Sequence, residues 1–240
     1  MPCIPLLRGA LLALAATTAG LATSGARGQD RISEAETLLF QTDHLKNVAP
    51  PATLSYAFRK TGSAETGFDD TVELRLRALE GAMHASVAFF SAARKTACPE
   101  VTRAEGNPVL LCFLERDIRE MERLTGGKSG YFRRAIRLAL ARSAKVARTR
   151  LSVGGRELAA REITITPYAE DPLKDRIGKY ASKTYVFTLS AAVPGGVYSV
   201  RAFVPHPAAA ANDPPPLIEE RLSLVRIADA MRLMRGSAPP

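Results

Sequence analysis

The most specific chemical feature of this chain is a run of arginines. Between Glu122 and Glu157 no acidic residue occurs, while Arg123, Lys128, Arg133, Arg134, Arg137, Arg142, Lys145, Arg148, Arg150 and Arg156 supply ten positive charges. At 100° per residue, Arg133, Arg134, Arg137 and Arg142 fall within a half-circle opposite Phe132, Ile136, Ala139 and Leu140. A helix there has one cationic side and one apolar side. Guanidinium forks take phosphate and carboxylate oxygens two at a time, so this face is a candidate site for anionic headgroups, with Tyr131 beside it as an interfacial ring. The plain alternative is the solvated face of an Arg-rich helix. Two helices joined through Gly126-Gly127 also fit the outline of a DNA-reading helix-turn-helix.

Other chemistry is sparse. The sequence contains no Gly-x-Ser-x-Gly elbow, no His-Glu-x-x-His, no Gly-rich phosphate loop and no Cys-x-x-Cys. A protein without catalytic activity, cofactor or metal is therefore expected. His44 ends a helix beside Asp43, His84 points outward from a strand and His206 lies between two prolines. They read as one capping and two surface histidines. Asp69-Asp70 reads as turn chemistry. Glu115, Asp117, Glu120 and Glu122 interleave with Arg116, Arg119 and Arg123 as a solvated helix face laced with ion pairs. Tyr168, Asp171, Lys174 and Asp175 gather on a loop, where binding residues collect; the simpler reading is that Asp171-Pro172 caps the next helical turn. Cys98 and Cys112 leave two readings open. One is a disulfide closing a loop of about 15 residues, worth roughly 3 kcal/mol. The other is a pair of buried thiols, Cys112 lying in the apolar run Val109 to Leu114.

The N-terminus sets the compartment. Arg8 precedes an apolar stretch from Gly9 to Ala22, and small residues around Ala26 offer a cleavage site. Residues 1–28 read as a signal peptide. The apolar stretch is 14 residues, short of the roughly 20 that a spanning helix needs. No transmembrane segment is expected after cleavage, and the location is periplasmic or secreted. The whole chain carries 33 Lys and Arg against 24 Asp and Glu, a net of +9. Without Arg8 and Arg27 the remainder carries 31 against 24, a net of +7. Export removes nucleic acid from the expected partners. It leaves an anionic lipid or amphiphile, or an acidic envelope protein docked on the basic helix.

These residues need elements to hold them. Ser33 and Glu36 make a capping box for a helix over 32–44, which Pro50-Pro51 ends. Period-two alternation predicts strands around Leu54 to Arg59, Val72 to Arg77 and Met83 to Ser91, with a wet outer face of Glu73, Arg75 and Arg77. Asn107-Pro108 opens a helix carrying Leu110, Leu114, Ile118, Met121 and Leu124, and Gly126-Gly127 stops it. A second helix runs over 129–144. Five strands follow, over 146–153, 156–166, 183–190, 197–204 and 218–227, the first two joined by Gly154-Gly155 in a tight hairpin. The fold class expected is α+β: a curved antiparallel sheet or open half-barrel of about eight strands with an inserted helical hairpin. The layout is a signal peptide over 1–28, an N-terminal helix and linker over 29–52, one half-barrel-like domain over 53–228 and a basic tail over 229–240.

That element order, an exported chain of antiparallel strands with helices inserted after the third, resembles the half-barrel of the periplasmic lipoprotein-localisation factors. The resemblance covers roughly residues 50–228 and is carried by element order. It implies a concave, helix-plugged face of the kind that holds acyl chains in those proteins. The leading expectation is thus a periplasmic, non-enzymatic protein that binds a lipid or other anionic amphiphile. The apolar tail would lie between sheet and helices and the head at Arg133, Arg134, Arg137, Arg142 and Tyr131. A structural or adaptor protein with a filled interior is the alternative.

Overall fold

The computed structural model describes residues 32–208 and 214–225. The signal peptide expected over 1–28 and the tail over 229–240 lie outside the described residues, as do 209–213 of the Pro-rich loop and 226–228 at the end of the expected domain. Eight strands form one antiparallel sheet: β1 (Ala52–Thr61), β2 (Phe68–Leu79), β3 (Ala82–Phe89), β4 (Lys145–Val153), β5 (Arg156–Ile165), β6 (Thr184–Leu189), β7 (Val197–Val204) and β8 (Ile218–Val225). Their spatial order is β3-β2-β1-β8-β7-β6-β5-β4. The sheet is curved and does not close into a barrel.

Side chains alternate across each strand, and one face is buried. Leu54, Tyr56 and Phe58 of β1, Val72, Leu74 and Leu76 of β2, and Tyr185, Phe187 and Leu189 of β6 all point into the core. Arg75 and Arg77 on the opposite face of β2 stay exposed. Neighbours in sequence pair in space except at one place: after β3 the chain leaves one edge of the sheet and re-enters at β4, the other edge. The link carries helices α2 (Val109–Thr125) and α3 (Ser129–Arg142). At the start of α2 the Val109 N–H donates to Asn107 Oδ1 at 3.1 Å. At its end Gly126 takes a left-handed φ of 69°. Val109, Leu110, Phe113, Ile118 and Met121 of α2 and Phe132, Ile136 and Leu140 of α3 are buried in the core shared with the sheet. Cys98 and Cys112 form a disulfide with Cα atoms 5.8 Å apart, tying the incoming link to the first turns of α2.

Three expectations need correction. The charges of α2 do not all face solvent. Asp117 is fully buried and accepts from Lys183 Nζ at 2.5 Å and Tyr185 OH at 2.6 Å. It sits one turn from Phe113 and Met121, on the side that a helix lying against the sheet must bury. Arg116 and Glu120 are half-buried in a second network: Lys60 on β1 meets Glu65 and Glu120 at 2.6 Å each, and Arg116 pairs with the buried Glu220 of β8. These partners hold the Glu120 carboxyl far below its ordinary range against the cost of burial. The loop residue Tyr168 is likewise core, its hydroxyl 3.2 Å from that of Tyr185. Asp171 accepts the Leu173 N–H at 2.7 Å and so holds the turn ahead of the short helix Lys174–Ile177, whose N-cap is Leu173 and has no side-chain cap.

The third correction concerns the N-terminal segment. Helix α1 (Glu34–Glu36) has both bonds of the Ser33–Glu36 capping box, but it passes into a π-helical turn over Thr37–Gln41 and ends there. His44 lies beyond that turn and is buried. Its Nε2–H donates to the Leu38 carbonyl at 2.8 Å, and its Nδ1 accepts the Asn107 N–H at 3.2 Å. Acceptance at Nδ1 requires the neutral ring, whereas the bond to Leu38 would survive protonation. Burial lowers the His44 pKa, outweighing the Leu38 carbonyl and the Asp43 charge that favour protonation.

Two measurements follow from these buried groups. Asp117→Ala leaves the Lys183 ammonium buried without a counter-charge and is expected to cost about 3–5 kcal/mol in urea unfolding. Asp117→Leu with Lys183→Met removes both charges and is expected to restore much of that loss. For His44, the unfolded chain takes up the proton at its ordinary pKa of 6.5 while the folded chain resists it. Stability is therefore complete above that pH and falls as pH drops from about 7 toward 5. His44→Gln is expected to flatten the slope in that window, measured by urea midpoints at successive pH values.

Candidate functional site

The β4–β5 hairpin turns through Gly154 and Gly155, at φ of 55° and 76°. Both values are positive, as a two-residue primed turn demands and glycine allows. That turn fixes the register: Arg148 lies directly opposite Arg161, and Arg150 opposite Ala159. Residues two apart on a strand share a face, so Arg148, Arg150 and Arg161 stand together on one side of the ribbon. Like charges directly across an antiparallel pair repel, with Cβ atoms about 4.5–5.5 Å apart. Little relieves them. Arg161 pairs with Glu34 of α1, yet its Nε is buried with no hydrogen-bond partner among the described residues. Arg148 and Arg150 make no ion pair among the described residues.

This arginine face lines a hollow of about 570 Å3. Leu38, Ala159, Ala160, Leu189 and Ala191 give it apolar walls, and Lys46 adds a fourth cation beside Asp43. Two asparagines hold the opposite wall. Asn47 Nδ2 donates to the Ala191 and Val193 carbonyls at 3.1 and 2.8 Å, and its Oδ1 accepts the Gly195 N–H at 3.1 Å. Asn107 Nδ2 donates to the Gly195 carbonyl at 2.8 Å and to Tyr56 OH at 2.9 Å. The ring of His44 packs against Gly196, where a Cβ would come within 2.9 Å of it and where φ is 70°. Glycine at 196 thus lets the loop close down on the histidine. Ser190 completes the wall by donating its hydroxyl to the Ala159 carbonyl at 2.7 Å.

The arginines expected on α3 are distributed differently. Arg133 is held by Glu115 of α2 through two bonds of 2.7 and 2.8 Å, and the guanidinium keeps that carboxyl below its ordinary range. Arg134, Arg137 and Arg142 are exposed and make no ion pair among the described residues. Arg142 borders a smaller hollow of about 210 Å3 with Ser33 and Glu34. Tyr131 is half-buried; burial, then the neighbouring Asp171 carboxylate, raises its pKa, although the hydroxyl makes no hydrogen bond of good geometry among the described residues. The structure thus brings Arg148, Arg150 and Arg161 to a concave wall and leaves the α3 arginines on an open helix face. Sequence reasoning counted Arg148 and Arg150 in the basic run without giving them a site, and passed over Arg161. A signal was present: a two-residue turn at Gly154-Gly155 makes cross-strand partners of positions 148 and 161.

No family model matches the chain, and no curated protein matches it in sequence. Among solved structures, the crystal structure of the Mycobacterium tuberculosis lipoprotein LppX is similar to it with a TM-score of 0.31 and 9% identity, over 74% of this chain and 86% of that one. A likeness of that size identifies no family.

Proposed function

We propose that this protein is a non-enzymatic binding protein for an anionic amphiphile, a lipid among the candidates, held at the β4–β5 hollow rather than at the α3 face. The observation that carries the reading is three guanidiniums on one face of a hairpin, lining an apolar-walled space of about 570 Å3. Ligand pockets run to about 300–1,000 Å3 and combine apolar walls with a few convergent polar groups. Guanidinium forks in a concave wall attract anions more strongly than the same groups on a convex helix, because low-dielectric walls focus the field.

The two lining groups best suited to nucleophilic chemistry, His44 and Ser190, are both engaged. Both ring nitrogens of His44 are committed to backbone groups, and the Ser190 hydroxyl donates to a carbonyl. That supports binding over catalysis. The export signal read from the sequence supports a periplasmic or secreted setting, and a Cys98–Cys112 disulfide is of the kind that persists in oxidising compartments. A second reading, docking of an acidic envelope protein, is favoured by one observation: the exposed Arg134, Arg137 and Arg142 have no ion-pair partner among the described residues.

Displacement of a fluorescent fatty-acid probe separates the two. Arg148→Ala with Arg150→Ala is expected to weaken probe binding about tenfold or more, since a hydrogen bond to a charged group is worth roughly 1.5–3 kcal/mol. Arg134→Ala with Arg137→Ala is expected to leave it unchanged. The reverse pattern moves the ligand to α3, and a chain that binds no amphiphile but captures an acidic protein in a salt-sensitive pulldown favours the adaptor reading.

A further inference from the structure

Charge narrows what the hollow accepts. We infer that it holds an amphiphile whose head is a phosphate monoester; this rests on the amphiphile reading of the same hollow.

Charge selects the head. Lys46, Arg148, Arg150 and Arg161 surround the hollow, against Asp43 on its wall and Glu34 paired to Arg161. That is four cations against two acids, and it leaves two positive charges to balance. A phosphate monoester carries between −1.5 and −2 near neutral pH and presents three acceptor oxygens; a carboxylate or a phosphodiester carries one charge. Arg148 and Arg161, cross-strand partners, and Arg150 two residues along line the same hollow, and planar forks around one space suit a tetrahedral head better than a planar one. The Arg161 Nε gives one donor with no acceptor among the described residues. An anion lying between Arg148 and Arg161 also removes the repulsion built into their register. The apolar wall from Leu38, Leu189 and Ala191 then takes the chain.

The test is calorimetric titration of the full chain, below micelle-forming concentrations, with three probes: dodecyl phosphate, dodecanoate and inorganic phosphate. The expected result is one dodecyl phosphate per chain, bound at least tenfold more tightly than dodecanoate and a hundredfold more tightly than inorganic phosphate. Arg148→Ala with Arg150→Ala, on an edge strand where folding is checked by thermal melting, is expected to shrink the preference for phosphate over carboxylate below threefold. Equal affinity for dodecanoate and dodecyl phosphate overturns the headgroup inference and leaves the amphiphile reading standing. Inorganic phosphate bound as tightly as the alkyl ester means that the tail contributes nothing, and no binding of any probe removes the ligand; in both cases the amphiphile reading falls as well.

Discussion

The chain leaves its sheet at β3 and returns at β4, on the opposite edge, and the rest of the architecture answers to that constraint. A link between two edges of a curved sheet must run across one face. Helices α2 and α3 make the crossing over the apolar face, where a row of large side chains needs cover. The helix that lies against the sheet gains a burial stripe wider than its own apolar residues supply. Asp117 falls inside it, and burying a carboxylate there is tolerable only with its charge matched and its lone pairs filled. Lys183 and Tyr185, from the start of β6, meet both needs. On the other side Lys60 and Glu220 from two neighbouring strands bracket Arg116 and Glu120 of the same helix. The buried charges fix where α2 sits along the trough, which apolar packing alone, being non-directional, leaves open.

The hollow is a consequence of where pairing stops. Strand β5 pairs with β6 only from Arg161 to Ile165, while its partnership with β4 continues to Arg156. The hairpin therefore runs past the end of β6 as a two-stranded ribbon. Beyond Leu189 the space beside it is met by loops, the segment 42–47 and the β6–β7 connection, pinned by Asn47 and Asn107. Loops fixed by a few polar bonds close such a gap incompletely, and the residue is a cleft with one rigid wall. Binding side chains on strands hold their geometry better than side chains on loops. The three arginines have that advantage.

Much of this was legible before the structure. The alternation of Leu54, Tyr56 and Phe58 against polar neighbours, the stripe from Leu110 to Met121 and the glycine pairs at 126–127 and 154–155 are local signals, and the elements they mark are present. The fold class followed from counting them. Burial of charge was not legible, because it depends on what faces a helix across the core. Asp117 between arginines reads as one more surface acid until Lys183, 66 residues away, is known to stand opposite. His44 is similar: its position after Asp43 suggests a cap, and only the approach of Asn107 and Gly196 makes it an interior residue.

The basic run illustrates the difference between charge as composition and charge as a site. Ten cations without an acid in the intervening sequence look like one feature, yet the fold divides them into groups with different physics. On α3 the arginines stand in water: one is spent on Glu115, and exposed charges of this kind, paired or not, contribute a fraction of a kcal/mol and are screened within about 8 Å at physiological salt. On β4 and β5 the strand period and a glycine turn hold like charges across from each other beside apolar walls. Arg148 and Arg150 are exposed as well and Arg161 is half-buried, so what sets this group apart is the cross-strand register: an incoming anion relieves a repulsion already present. Helical periodicity makes the first group conspicuous in the sequence, because a cationic stripe opposite an apolar one is easy to see. The second group is spread over two strands and becomes a site only through cross-strand register, which is where the capacity to hold an anion is built.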